Sequence, residues 1–255
     1  MSDNLAQSNR NTSRQREKMG MIFLAVGAAI IVLVIALVVF AQGSTPINVS
    51  PTVAANLSPN QLQRGNLANY GFPQIGDPKA PIILIEFSNF SCPGCAQYHA
   101  TVKQIIDTHV ASGRASFVFA PMVWPERQPS VIAAVAALCA DQQGKFWEMA
   151  DTLISIHLQR SGNAFDFDTV NAAATALEMD SAKFATCMAQ QGGPQIDTIN
   201  ASIDLFVKLN LQYTPSLLYS KDGGATWEWF TAADGTRFEA SVPLEDVTRV
   251  LAQMQ

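Results

Sequence analysis

Charge is missing from one long stretch of this sequence. From Met19 to Ala41 there is no Asp, Glu, Lys or Arg, and no Lys or Arg follows until Arg64. Over all 255 residues charged side chains make up only 15%, with a formal net charge of −5. The body has no basic cluster, which argues against nucleic acid as a partner. Histidine is scarce: His99, His109 and His157 are the only three, and none stands at ligand spacing from another. Cysteine is limited to four residues, with no second Cys-x-x-Cys and no Cys/His pair of the kind a structural zinc site requires. No internal repeat is present, so a solenoid or propeller is not indicated.

The uncharged stretch is itself informative. Its 23 residues are enough to cross a bilayer as a helix. Residues 1–18 are polar and carry Arg10, Arg14, Arg16 and Lys18 against Asp3 and Glu17. That imbalance predicts a cytoplasmic tail at 1–18, a transmembrane signal-anchor at 19–41 and an extracytoplasmic remainder. The competing reading is a cleaved signal peptide ending at Val39-Phe40-Ala41. The apolar run exceeds the roughly 7–15-residue core of such a peptide, which favours a retained single-pass anchor in the cell membrane. Residues 42–69, rich in Gly, Ser, Thr, Pro, Asn and Gln, read as a flexible linker. Four cysteines in an exported body suggest an oxidising compartment.

The folded body is expected from 70 to 255. Pro81-Ile-Ile-Leu-Ile-Glu-Phe87 reads as a buried strand, and Ala115-Ser-Phe-Val-Phe-Ala-Pro121 as a second one. Between them a helix carries Tyr98, Val102, Ile105, Ile106 and Val110 on one face and stops at Gly113. Strand, helix and strand at this length predict a parallel unit. From about 125 to 210 the pattern turns helical, with candidates at 129–140, 144–157, 167–177, 181–190 and 194–209. Strands are then expected at 213–219, 227–231 and 236–240, with turns at Asp222-Gly223-Gly224 and Asp234-Gly235. A closing helix runs from Pro243 to Met254. Ser220-Lys-Asp-Gly-Gly-Ala-Thr-Trp227 fits an Asp-box hairpin pattern, and as a single copy it predicts turn architecture rather than a sugar site.

Cys92-Pro93-Gly94-Cys95 falls between the first strand and its helix. Strand, Cys-x-x-Cys, helix is the context in which this spacing means redox chemistry. Cys92 would cap the helix N-terminus, where free N–H groups and the helix dipole favour a thiolate. Cys95 lies one turn further in, placed to close or open a disulfide with it. Pro93 suits the first helical turn because its missing N–H needs no partner there. The alternative is a purely structural disulfide.

Taken together, the segment Gly76-Asp-Pro-Lys-Ala-Pro-Ile-Ile-Leu-Ile-Glu-Phe-Ser-Asn-Phe-Ser-Cys-Pro-Gly-Cys95, the stretch Cys139-Ala-Asp-Gln-Gln-Gly-Lys-Phe-Trp147 and Thr214-Pro215 before a late strand resemble the DsbA-like thioredoxin-fold oxidoreductases. The resemblance covers roughly residues 70–253. It implies an α/β thioredoxin fold with a helical insertion, here preceded by one transmembrane helix. It implies that Cys92 attacks and Cys95 resolves, that Pro215 is a cis-proline beside the disulfide, and that Thr214, Pro93 and Gly94 line the substrate site. It also assigns Glu86 as a buried acid that helps move the proton of Cys95; otherwise Glu86 is a strand-end carboxylate reaching water. The same resemblance allows a second, structural disulfide between Cys139 and Cys187, whose alternative is two buried free thiols.

The middle dipeptide here is Pro-Gly, where the most oxidising relatives carry Pro-His, and this lowers the expected oxidising power. The implied activity is disulfide formation in exported proteins that carry free thiols. Reoxidation would come from a quinone-linked membrane partner of the DsbB or VKOR type. No metal or organic cofactor is called for beyond the redox-active disulfide. The alternatives are a disulfide reductase or isomerase, or an anchored binding or chaperone module whose Cys-x-x-Cys is structural. Phe90, Pro121, Met122 and Trp124 are candidates for an apolar rim around the cysteines, and equally for plain core. His99, one turn after Cys95, is either turned toward the site or an ordinary surface histidine.

Overall fold

The two strands that the sequence marks as buried form the middle of the sheet. The computed structural model describes residue 47 and residues 70–161, 163–190 and 193–254. The expected tail, membrane span and nearly all of the linker lie outside these residues. Among the described residues no helix is long and apolar enough to cross a membrane.

The sheet contains β1 (Gln74–Ile75), β2 (Ile82–Ser88), β3 (Ala115–Pro121), β4 (Ser216–Ser220) and β5 (Glu228–Trp229), in the order β1-β3-β2-β4-β5. β2 and β3 are parallel, with Glu86 opposite Phe119; β4 runs antiparallel to β2, with Glu86 opposite Leu217. Every residue of β2 is buried, Glu86 and Ser88 as well as the apolar Ile82-Ile83-Leu84-Ile85 and Phe87, as in a central strand covered on both faces.

The helices are α1 (Pro93–Ile105), α2 (Gln128–Asp141), α3 (Phe146–Arg160), α4 (Phe167–Ala176), α5 (Ser181–Ala189), α6 (Pro194–Lys208) and α7 (Leu244–Ala252). Alternation along β2 divides the core between the two sheet faces. Ile82 and Leu84 pack with Tyr98, Val102 and Ile105 of α1 and with Val247 and Leu251 of α7. Ile83, Ile85 and Phe87 pack with Leu205 of α6 and Leu218 of β4. A third cluster fills the helical insertion between β3 and β4 and reaches the sheet through Phe90 and Phe119, whose rings stack at 5.2 Å. Ile47 packs, partly buried, against this helical cluster.

Local chemistry accounts for the helix starts. Asp166 accepts from Thr169 N–H at 2.7 Å, and Asp180 accepts from the N–H groups of Ala182 and Lys183. Pro occupies the first turn of α1, α2 and α6. A disulfide joins Cys139 of α2 to Cys187 of α5, 5.8 Å apart between Cα atoms.

Three elements differ from the sequence expectation. The helix expected to reach Gly113 leaves α geometry after Ile105 and widens into a π-helical turn, Ile106–Val110, which turns Ile106, His109 and Val110 all inward. The strand expected at 227–231 is only the two residues of β5. The one expected at 236–240 is reduced to a bridge between Thr231 and Arg237, with Phe238 N–H donating to Phe230 O. Thr236, Arg237 and Glu239 are exposed there, so this edge ribbon has little apolar surface with which to extend its pairing. The Asp-box segment is a turn tying β4 to β5. Ser220 Oγ accepts from Gly224 N–H at 2.8 Å, and Asp222 accepts from both the N–H and the hydroxyl of Thr226.

Candidate active site

Cys92 stands between β2 and α1 with extended backbone, φ −89° and ψ 121°, as the N-cap of the helix that Pro93 begins. Its N–H donates to Asn89 O, and its carbonyl accepts from Ala96 N–H. Cys92 and Cys95 are not bonded to each other. Their exposures are 8% and 1%, so the first sulfur lies just under the surface and the second lies inside. Pro93 and Gly94 are exposed.

The thiol of Cys92 donates to Thr214 O at 3.5 Å. Thr214–Pro215 is a cis peptide bond at the entry to β4. A Cβ on Gly94 would lie 3.6 Å from Pro215 Cδ and 3.8 Å from Cys92 Sγ. The structure thus brings Cys92, Cys95, Gly94, Thr214 and Pro215 into one patch, although 122 residues separate Cys92 from Thr214.

The two sulfurs differ electrostatically. The Cys92 thiol is lowered to about 5, chiefly by hydrogen bonding to its ionised form from the Cys95 thiol, helped by backbone N–H groups of Cys95 and Gly94 and by Thr214, against the opposing cost of burial. Burial pushes the Cys95 thiol far up, reinforced by the Cys92 charge beside it. One sulfur is therefore a thiolate at neutral pH and the other keeps its proton.

Glu86 lies beneath this pair. It shares a β2 face with Ile82 and Leu84, the face that α1 covers, and is 3% exposed. The strand-end alternative does not hold, because Glu86 is mid-strand and sealed from water. Burial raises its carboxyl from 4.5 to about 7, with Ser88 and His99 opposing. The Glu86 charge in turn raises both Cys95 and Tyr98.

Several residues of the site had no sequence signal. Asn89 N–H donates to Cys95 Sγ at 3.4 Å, while Asn89 Oδ1 accepts from Ser91 N–H and from Ser130 Oγ of α2. His157 of α3 donates from Nδ1 to Phe90 O at 2.8 Å. Tyr98 donates to Val242 O. Only the turn-forming chemistry of Asn89 after the strand could have flagged any of these. Of the expected rim, Phe90 is core at 1% exposure, and Trp124 is half-buried with the Arg127 guanidinium 4.9 Å from its ring centre. His99 Nε2 lies 2.6 Å from Asp151 Oδ1. His109 is buried against Thr248. Among the described residues no three His, Cys, Asp or Glu side chains are placed to hold a metal ion.

A mixed sheet with a helical insertion, and paired cysteines where the first long helix begins, define a thioredoxin-like fold of the thiol:disulfide oxidoreductase type. The thioredoxin family profile matches residues 69–222, more than half of the chain, and the chain belongs to that family. It is similar in structure to a thioredoxin-like oxidoreductase from Silicibacter pomeroyi, with a TM-score of 0.57 and 22% identity over 77% of this chain and 97% of that one. It is likewise similar to alpha-DsbA1 of Wolbachia pipientis, with a TM-score of 0.58 and 20% identity over 77% and 95% of the two chains. In sequence it is 31% identical over 81 residues to a Na(+)/H(+) antiporter, NhaA 3, of Salinispora tropica, a match covering 31% of this chain. The chain spans only 12% of the length of that curated relative.

Proposed function

We propose that this protein is an extracytoplasmic thiol:disulfide oxidoreductase, held by a single-pass anchor at 19–41, that forms disulfides in exported proteins through Cys92 and Cys95. The observation that carries the reading is the asymmetry of the pair. Cys92 is near the surface, ionised and beside Thr214 O, while Cys95 is buried and protonated. A lowered attacking thiol stabilises the reduced form, so the oxidised pair is the better electron acceptor.

A client thiolate attacks Cys92 Sγ of the oxidised pair. The Cys92–Cys95 bond breaks, and Cys95 leaves as a thiolate that takes up a proton, for which Glu86 is the nearby donor. The client's second thiolate then attacks its own sulfur in the mixed disulfide and expels the Cys92 thiolate. Two electrons pass to the enzyme, and a quinone-linked membrane protein of the DsbB or VKOR type would remove them. Thr214, Pro93 and Gly94 border Cys92 on the side a client chain would approach. The Cys139–Cys187 bond lies in the insertion and serves stability. The anchor and the extracytoplasmic placement rest on the charge pattern of residues 1–41.

Refolding of reduced ribonuclease, run beside reduction of insulin, tests the assignment. Recovery of ribonuclease activity with little insulin reduction is the expected result. Fast insulin reduction would make the protein a reductase, and inertness in both assays would leave only a tethered binding module.

A further inference from the structure

Asn89 touches both active-site cysteines. It follows the last residue of β2 and opens the turn that delivers the chain to α1. Its carbonyl accepts from Cys92 N–H at 2.9 Å, and its own N–H donates to Cys95 Sγ at 3.4 Å. The side chain fixes the turn that directs this N–H. Asn89 Oδ1 accepts from Ser91 N–H at 2.8 Å, an Asx turn, and from Ser130 Oγ at 3.1 Å. Ser130 stands in the first turn of α2, and its hydroxyl also accepts from Trp124 N–H at 3.0 Å. Asn89 and Ser130 are each 1% exposed. A chain of hydrogen bonds thus runs from the helical insertion through Asn89 to the buried sulfur, where bulk water does not compete.

We propose that Asn89 is a catalytic residue whose backbone N–H holds the negative charge on Cys95 Sγ while the disulfide opens or closes, and that Ser130 is the positioning residue that aims it. The proposal rests on the thiol exchange assigned above. When a client thiolate attacks Cys92 Sγ, a client–Cys92 bond forms, the Cys92–Cys95 bond breaks, and its electron pair goes to Cys95 Sγ. That sulfur is a thiolate until it takes up a proton, from Glu86 in the scheme above. In reverse, Cys95 gives up its proton and attacks Cys92 Sγ, and the client thiolate leaves with the electron pair of the mixed disulfide. Charge therefore develops on Cys95 in both directions and is absent at both ends, because dithiol and disulfide are each uncharged at this sulfur. A hydrogen bond to an ionised acceptor is about twice as strong as one to a neutral acceptor. The N–H accordingly favours the transition state over either end state. The electrostatics of the pair agree. Burial, and then the hydrogen bond and charge of Cys92, resist ionisation of Cys95, and the Asn89 N–H pulls the other way.

The test uses the full chain and small thiols, so no client is needed. Reduction of the oxidised protein by dithiothreitol gives the opening rate. Release of a chromophoric aromatic thiol from a mixed disulfide at Cys92 gives the closing rate. Equilibration with glutathione gives the equilibrium constant. Asn89 is replaced by its α-hydroxy acid counterpart, which turns the N–H into an ester oxygen and keeps the side chain. Both rates should fall at least about tenfold, with the equilibrium constant within about twofold of wild type. Ser130→Ala should slow both by about 2- to 10-fold, again with the equilibrium held. Added to the ester variant, Ser130→Ala should slow neither rate further, because the N–H it aims is gone. Unchanged rates in the ester variant overturn the proposal. Should that variant not fold, unchanged rates in Ser130→Ala overturn it instead. An equilibrium constant that moves as far as the rates overturns it too, and makes Asn89 a brace of one redox state. An additive loss in the double variant refutes the positioning role of Ser130. A wild-type chain inert to both reagents refutes the exchange reading itself, whereas a wild-type chain that exchanges, with variants that match it, refutes the role of Asn89 alone.

Discussion

Cys92 Sγ lies 3.5 Å from the carbonyl oxygen of Thr214, so the sulfur at the start of α1 meets the backbone that opens β4. A carbonyl accepts and cannot donate, so this contact holds the thiol rather than the thiolate. Ionisation is favoured instead by the Cys95 thiol above all, by the N–H groups of Cys95 and Gly94, and by the Thr214 side chain rather than its carbonyl.

The reduced protein should accordingly show one thiolate titration centred at about 5, read as absorbance at 240 nm or as the rate of alkylation. Cys92→Ser removes it. Cys95→Ala leaves it in place but moves it upward, because the largest stabilising contact is gone. An inflection near the value of an ordinary cysteine in the wild-type protein would refute the assignment of Cys92 as nucleophile.

Glu86 gives stability an unusual slope with pH. Its carboxyl titrates at about 7 when folded and at 4.5 when unfolded, so the folded state binds more protons between those values. Stability therefore falls as pH rises from 4.5 to 7 and levels off above. The full effect is worth about 3 kcal/mol at most. Glu86→Gln, measured in the oxidised protein where neither active-site thiol titrates, should lose that slope. It should be about 1–3 kcal/mol more stable than wild type at pH 8 and no more stable at pH 4. Denaturant unfolding at the two pH values decides it, and a slope that survives the substitution would place the titration elsewhere.

The Cys139–Cys187 bond closes a loop across 48 positions of sequence, from α2 to α5. On the chain-entropy account such a closure contributes about 4 kcal/mol. Replacing both cysteines by Ala should lower the unfolding free energy by an amount of this order. Thiol exchange at low temperature should survive, since neither sulfur belongs to the Cys92 patch. Loss of exchange in a still-folded double variant would mean that the insertion does more than brace the fold.

Strong periodicity makes the longer elements legible in the amino-acid sequence alone. The strand read at 115–121 is β3 residue for residue, and the helix read at 194–209 ends one residue later than α6. The start of α1 is legible for a physical reason, because Pro93 can begin a helix but not continue one. Features without a sequence signal are short or remote. β1 is two residues long and shows no period. The π-helical turn depends on tertiary contacts such as His109 with Thr248, 139 residues away. The hydrogen bond from Ser130 to Asn89 and the pairing of His99 with Asp151 join positions 41 and 52 apart, and no local pattern records them.

Gly76 tests how tightly the approach to β2 is packed. Its φ of +101° suits glycine, and a Cβ there would fall 2.5 Å from Val110 Cγ1 and 3.1 Å from Ser116 Cα. Ser116 belongs to β3 and cannot shift without disturbing its pairing with Ile83. Gly76→Ala should cost about 1–3 kcal/mol in unfolding free energy. A variant as stable as wild type would show that this turn relaxes freely.

Gly94 is the position where composition sets redox poise. A Cβ there would meet Pro215 Cδ at 3.6 Å and Cys92 Sγ at 3.8 Å, ordinary contacts, so a larger side chain fits without moving the backbone. Gly94 is also exposed, and an imidazole placed on it would stand beside the Cys92 thiolate. A histidine donor or cation there favours the ionised sulfur and so the reduced protein. Gly94→His should therefore lower the Cys92 midpoint and make the pair more oxidising. Each 1.4 kcal/mol of added thiolate stabilisation raises the potential by about 30 mV. Equilibration with glutathione measures the potential, and 240 nm absorbance measures the midpoint. A fall in the midpoint with no rise in potential would show that strain in the oxidised pair, rather than thiolate stability, governs its oxidising power.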